Sequence, residues 1–452
     1  MYNPRLKIGN LLILCVIIGL SSCATNQALP RKSLKKLDQQ IGEAPIFKEI
    51  FSGFALYDPE LQEMLYQHEA DKYYTPASNT KLFTFYTALK ILGDSIPLFR
   101  YLEKPEYTIL QGTGNPTFMH PDFPVDSNLI RRLQSLSGNL YFSPDNYLEN
   151  RFGPGWSWAD YSYYYQVEKS SFPIYGNFIR VEADTIGQSL WIHPKSMEHR
   201  FYYNQDLDAQ SGPEILRLEH DNLFEYNRAV FSGTYFSNDL PFYKQLENAP
   251  ILLGEILDRP VALMSKPERD TVLPFQMEWG VLEDTLLRKF MQESDNFIAE
   301  QLLLACSAKL FNGQLSSAKV IRYSLDSILN DLPDQPRWVD GSGLSRYNLF
   351  TPRSIVSLLD KLYKEYPKEW LFSVLPNGGK SGTIRNWYGG KTEPYVFAKT
   401  GTLSNKHCLS GYVKTQSGKT LIFSFMHNNY LGSSAPLKRE MQKVLEFIWE
   451  TY

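Results

Sequence analysis

The chain has 452 residues, of which 43% are hydrophobic and 21% charged, and its formal net charge is -3. A single hydrophobic core stops growing near ~250–300 residues, so two or more domains are expected, and the composition excludes disordered and fibrous classes. With no basic run to track phosphates, nucleic acid is not expected as a partner; with neither an HExxH nor a CxxC pair, no metal or cofactor is expected either.

Residues 1–22 read as a lipoprotein signal peptide. Arg5 and Lys7 give a positive start, and Leu11 to Leu20 is an apolar run too short to cross a bilayer core of ~30 Å. Leu20-Ser21-Ser22-Cys23 resembles a bacterial lipobox, in which Cys23 is lipidated and becomes the new N-terminus. Residues 23–44, polar and Lys-rich, read as a tether. No later segment approaches 18 uncharged apolar residues. Beyond the signal, Cys306 and Cys408 remain, and export permits either a disulfide or two buried thiols.

Short apolar runs flank Asp58-Pro59-Glu60 and predict a β-hairpin. Pro76 precedes a helix carrying Leu82, Phe85, Tyr86 and Leu89, with Gly93 at its C-terminal end. From about 109 to 265 helical periodicity is scarce, and Gly, Pro, Asn and Asp punctuate aromatic runs, as in a β-rich insert. Helical spacing returns at Leu282, Leu286 and Phe290. Three strands follow, around Tyr395–Phe397, Leu409–Lys414 and Thr420–Met426, and Leu437, Met441, Val444, Leu445 and Ile448 mark a closing amphipathic helix. The catalytic part is therefore expected to be discontinuous, 45–108 with 266–452, around an insert at 109–265.

Three short motifs occur in order: Ser78-Asn79-Thr80-Lys81, Ser294-Asp295-Asn296 and Lys399-Thr400-Gly401-Thr402. They correspond to the SxxK, SxN and KTG signatures of penicillin-binding proteins and class A β-lactamases. Each alone is a weak signal; together and on suitable elements they are specific. A serine hydroxyl needs a nearby base, and residues three apart on a helix share a face, so Lys81 reaches Ser78. Burial and the charge of Lys399 are expected to lower the Lys81 pKa. The helix start offers the Ser78 N–H to a developing oxyanion.

The chain resembles the D-alanyl-D-alanine carboxypeptidase/endopeptidase family, the class C low-molecular-mass penicillin-binding proteins. The likeness also rests on Gly112-Thr113-Gly114-Asn115-Pro116-Thr117, with Asn115 where the family usually has Asp, and on Gly155–Asp160, Asp340–Arg346 and Leu409–Tyr412. The long interval between Ser78 and Ser294 separates it from class A β-lactamases. The resemblance implies an α/β (α+β) fold: a β-lactamase/transpeptidase-like domain, its antiparallel sheet flanked by helices, interrupted by a β-rich inserted domain. It implies a serine carboxypeptidase, endopeptidase or both, acting on peptidoglycan stem peptides and acylated by β-lactams. In that scheme Ser78 is the nucleophile and Lys81 its base. Ser294 relays a proton, and Asn296 contacts the peptide and Lys81. Lys399 and Thr400 hold the terminal carboxylate, and Gly401 and Thr402 line the substrate, Thr402 with its N–H in the oxyanion hole. Asp160, Tyr165 and Arg346 occupy the places that recognise the diaminopimelate end of the peptide. The expected location is the cell envelope, facing the periplasm and held to a membrane by the Cys23 lipid; no oligomeric state is marked. Two other readings stand beside this one: a β-lactamase or esterase on the same fold, and a non-catalytic glycan-binding envelope protein.

Overall fold

The structure is a computed structural model describing residues 31–207, 212–264, 275–390 and 393–452; the signal segment and Cys23 lie outside the described residues. Folded structure begins earlier than the tether reading of 23–44 expects. Helix Arg31–Leu37 runs on through a wider turn at Asp38–Gly42, and a short helix follows at Pro45–Lys48. Leu37, Ile41 and Phe47 are buried against the main sheet and the C-terminal helix. The correction has a simple cause. Leu34, Leu37 and Ile41 recur at spacings of three and four and define one apolar face, while Lys32, Lys35 and Lys36 stay outside and mask it in a composition reading.

The main sheet joins the two ends of the chain. Its five antiparallel strands lie in the order Val396–Leu403, Lys406–Lys414, Thr420–Asn428, Phe51–Asp58, Glu63–His68. The predicted hairpin at Asp58–Glu60 supplies the last two. Strand Thr420–Asn428 is buried along its whole length because both faces are covered, which explains why apolar residues occupy both of its faces. Phe54, Leu56, Phe423 and Phe425 pack on one side, where the closing helix Ala435–Thr451 buries Leu437, Met441, Val444, Leu445 and Ile448 as expected. Ala55, Ile422 and Met426 face the other side, against the helix Thr80–Leu92, which follows Ser78, and the helices Asn296–Leu310 and Pro352–Glu365. The near-complete burial of Asn296–Leu310 makes it the axis of that layer. Cys306 and Cys408 are both buried free thiols.

The insert departs from the bounds 109–265. A second five-stranded sheet, ordered Val261–Leu263, Asn139–Phe142, Tyr107–Gly112, Ser95–Glu103, Gln276–Val281, draws two strands from outside them. The chain leaves the layers around the main sheet at Gly93, whose φ of 62° ends the helix Thr80–Leu92, and returns only after Val281. Two three-stranded sheets extend the insert, one formed by Ser237–Pro241, Phe178–Asp184 and Ser189–His193. The insert also holds two helices that its punctuated texture conceals, Ser127–Gln134 and Gln245–Leu257; the second buries Ala249, Leu252, Leu253 and Leu257 despite Pro250 inside it. The whole is a mixed α/β fold with an antiparallel sheet between helical layers.

Candidate active site

Ser78, the expected nucleophile, sits on a tight turn rather than on the regular helix. Ala77 takes a positive φ of 48°, Ala77–Asn79 form one 3₁₀ turn, and the α-helix starts at Thr80. Thr80 Oγ1 donates to the Ala77 carbonyl at 2.8 Å, and Asn79 Nδ2 donates to Ser410 Oγ on the main sheet at 2.7 Å. Two glycines make room for this turn. A Cβ on Gly343 would lie 1.9 Å from the Ala77 oxygen, and one on Gly401 would lie 2.3 Å from the Pro76 oxygen and 3.0 Å from the Ser78 nitrogen. The glycines of the Asp340–Arg346 and KTG segments are thus required by close backbone approach.

Lys81 is fully buried, with its Nζ 2.9 Å from Ser78 Oγ, 2.6 Å from Asn296 Oδ1 and 2.6 Å from the Ser342 carbonyl. Burial pushes its pKa down to about 8, against the opposing pull of Asp340, Asp295 and Glu300. The expected repulsion from Lys399 falls chiefly on Lys399 itself, which is held well below the usual lysine range by burial first and then by the charge of Lys81.

Ser294 joins helix Asp284–Gln292 to helix Asn296–Leu310 in a left-handed conformation, φ 63°. The Asp295 carboxylate caps the second helix by accepting from Ile298 N at 2.8 Å, so the middle residue of the SxN motif is structural. This bend aims Ser294 Oγ at Lys399 Nζ, 2.7 Å away, while Asn296 turns toward Lys81. Lys399, Thr400, Gly401 and Thr402 lie on strand Val396–Leu403, the edge of the main sheet nearest the nucleophile turn. Thr400 Oγ1 donates to Thr383 Oγ1 at 2.7 Å, and Thr402 Oγ1 lies 3.0 Å from Nδ1 of His407. Burial holds His407 down to about 3, leaving it neutral.

All these motifs open into one cleft of about 930 Å³, and Asp160, Tyr165 and Arg346 line it together with Ser78, Ser294, Asn296 and Thr402. Partial burial and the adjacent Asp160 carboxylate raise Tyr165 to about 12. The Tyr165 carbonyl accepts from Asn296 Nδ2 at 2.8 Å, tying the insert to the SxN motif. Arg346 stays exposed because Asp340 is engaged elsewhere: it accepts from the Gly343, Ser345, Trp156 and Asn348 nitrogens at 2.9, 2.7, 2.9 and 2.6 Å.

Three supporting groups escape motif reading. The Ser342 carbonyl, a Lys81 partner, has no side-chain signature. Thr383 lies in Ser381-Gly382-Thr383, far from any recognised motif. Glu300, buried and pushed up to about 7 by burial and the charge of Asp340, accepts from Ser342 N at 2.7 Å; it lies in the run of residues one turn beyond Asn296 on the same helix. Gln301 from the same run donates to the Gly114 carbonyl at 3.0 Å, and Asn115 Oδ1 accepts from Thr117 N at 2.8 Å, so Asn115 builds that turn without a carboxylate.

Residues 33–448 match the model of the D-Ala-D-Ala carboxypeptidase 3 (S13) family. The chain is 23% identical over 432 residues to the D-alanyl-D-alanine carboxypeptidase DacB of Haemophilus influenzae, covering 87% of this chain and 89% of that one. It is 26% identical over 455 residues to the D-alanyl-D-alanine carboxypeptidase of Actinomadura sp. (strain R39), covering 87% and 80%. The crystal structure of penicillin binding protein 4 (dacB) from Haemophilus influenzae superposes with a TM-score of 0.70 at 19% identity, over 92% of this chain and 99% of that one.

Proposed function

The chain belongs to the D-Ala-D-Ala carboxypeptidase 3 (S13) family, and we propose that it is a serine D,D-peptidase of peptidoglycan stem peptides, working through an acyl-enzyme on Ser78. The observation that carries this reading is the environment of Lys81. A neutral amine has two N–H donors and one lone pair. Asn296 Oδ1 and the Ser342 carbonyl take the two donors, which leaves the lone pair for the Ser78 proton at 2.9 Å. With the pKa lowered to about 8, a useful fraction of Lys81 is neutral near neutral pH.

Ser78 Oγ attacks the carbonyl of the penultimate D-Ala as its proton passes to Lys81. The oxyanion accepts from the N–H groups of Ser78 and Thr402. The C–N bond breaks, the leaving amine receives a proton through Ser294, and Lys399 with Thr400 holds the departing carboxylate. Water then releases the acyl group from Ser78. Terminal D-Ala and a cross-linked D-amino acid both present a leaving amine here, so carboxypeptidase and endopeptidase action share the chemistry. A β-lactam presents its strained amide to the same serine. Asp160, Tyr165 and Arg346 set opposite charges toward the zwitterionic end of diaminopimelate. A lipid on Cys23 anchors the protein to a membrane on the periplasmic side.

The test is labelling by fluorescent penicillin, with mass spectrometry of muropeptides after digestion. Wild type should carry a persisting label that Ser78→Ala lacks, and should release D-Ala or split cross-links. Rapid turnover of penicillin without a stable adduct would make it a β-lactamase instead. Incorporation of radioactive palmitate, lost in Cys23→Ala, checks the anchor.

A further inference from the structure

The catalytic cleft continues across the insert into a second open groove of about 380 Å³, and Tyr164, Arg180 and Asp239 line both. Glu182, Tyr235, Ser237 and Asn238 complete the groove. Its floor is a pair of antiparallel strands, Phe178–Asp184 and Ser237–Pro241, in which Arg180 stands opposite Asp239 and Glu182 opposite Ser237. Residues two apart on a strand share a face, so these four side chains form one polar surface.

The floor is rigid. Arg180 Nε and Nη2 each donate to the Asp239 carboxylate at 2.8 Å, and Asp122 pairs with the same guanidinium from the other side. Arg180 is thereby neutralised, and the exposed Glu182 adds a further negative charge. Above this floor two rings stand mostly in water, Tyr164 at 65% and Tyr235 at 70% exposure, with the Tyr235 hydroxyl donating to Glu182 at 3.3 Å. The acyl-transfer mechanism uses none of these groups.

Exposed aromatic faces over carboxylate and hydroxyl groups match a flat ring with apolar C–H faces and a rim of hydroxyls. The surplus of carboxylates disfavours the anionic stem peptide itself. A stem peptide, however, is covalently attached to a neutral, N-acetylated sugar chain. We propose that this groove is a glycan subsite, holding an N-acetylhexosamine of the strand that carries the peptide being cut, with Tyr164 and Tyr235 stacking on the sugar and Glu182 and Ser237 bonding its hydroxyls. The inference rests on the peptidase reading for its biological meaning but on the groove alone for its binding claim. Occupation by sugar raises the effective concentration of the linked D-Ala end at Ser78.

Two measurements on the purified protein test it. The first is binding of peptide-free glycan tetrasaccharide to Ser78→Ala protein, followed by NMR titration, with Tyr235→Ala and Ser237→Ala introduced into that background. The expected result is saturable binding weakened about fivefold to tenfold by either change, the scale of one lost aromatic contact or hydrogen bond. The second is kcat/KM for a stem pentapeptide with and without its disaccharide. The disaccharide form should be favoured by wild type, and Tyr235→Ala should erase that preference while leaving the free pentapeptide and penicillin acylation unchanged. Absence of tetrasaccharide binding overturns the subsite whether or not the enzyme is active. A Tyr235→Ala defect confined to cross-linked dimers, with disaccharide monomers unaffected, also overturns it, by assigning the groove to a second peptide. If the tetrasaccharide binds while no peptide is cut and no penicillin adduct forms, the subsite stands and the peptidase reading fails.

Discussion

Gly401→Ala should disable acylation with little loss of fold. The added Cβ would fall 2.3 Å from the Pro76 oxygen and 3.0 Å from the nitrogens of Ser78 and Asn79. Carbon–oxygen contacts settle near ~3.3 Å, so strand and turn must part by about 1 Å. Neither side yields cheaply. The turn is pinned by Asn79 to Ser410, and the strand is paired along its length with Lys406–Lys414. Donors separated by that much cannot both lie 2.7–3.1 Å from one oxyanion, and a displacement of about 1 Å costs roughly 10²-fold in rate, or ~2.7 kcal/mol. Stopped-flow acylation by a chromogenic β-lactam reads the rate, and thermal unfolding reads the fold. Gly418→Ala is the control: its φ is also positive, at 90°, but nothing stands within 4 Å of the new methyl. That variant should lose some stability and acylate normally. Acylation of Gly401→Ala within about threefold of wild type would refute the close-packing argument and, with it, the paired-donor geometry.

Acylation should climb with pH through about 8, because Lys81 accepts a proton only above its lowered pKa; each unit below should cost about tenfold, measured as the acylation rate across a pH series. Lys81→Ala should abolish labelling and retain a native circular dichroism spectrum. Lys399→Ala should slow peptides with a free terminal carboxylate by roughly 10–100-fold, the scale of a charged hydrogen bond, and affect C-terminally amidated peptides less; comparing kcat/KM for the two decides it. Asp160→Ala should slow diaminopimelate peptides selectively, and equal losses on lysine-containing and diaminopimelate-containing peptides would remove its recognition role. Ile41→Ala should destabilise by about 2–4 kcal/mol, seen in urea unfolding, whereas a true tether would give no change.

The catalytic trio was legible in the sequence because its chemistry demands specific side chains at fixed spacing. The closing helix was legible because one-sided burial leaves a clean period. The rest was concealed for identifiable reasons. Backbone groups such as the Ser342 carbonyl leave no mark on residue identity. The left-handed turns at Ala77 and Ser294 carry residues that do not signal positive φ, and tertiary packing imposes them. Strand Ser95–Glu103 follows the nucleophile helix after a single turn, so composition shifts later than architecture does. Lys32, Lys35 and Lys36 made an apolar-faced helix look like linker. Helix Gln245–Leu257 was hidden by Pro250, which ordinarily argues against a helix interior.

The main sheet has a consequence for timing. Ser52 and His427, hydrogen-bonded at 2.8 Å on neighbouring strands, are 375 residues apart in sequence. Pairing at that separation forms late and slowly, and a chain folds from its N-terminus as it emerges. The strand bearing Lys399 therefore docks beside Ser78 only when almost the entire polypeptide has arrived. Until then the proposed oxyanion site and carboxylate anchor are both incomplete. The order of strands thus makes the pairing of Ser78 with the Lys399 strand one of the last events of folding.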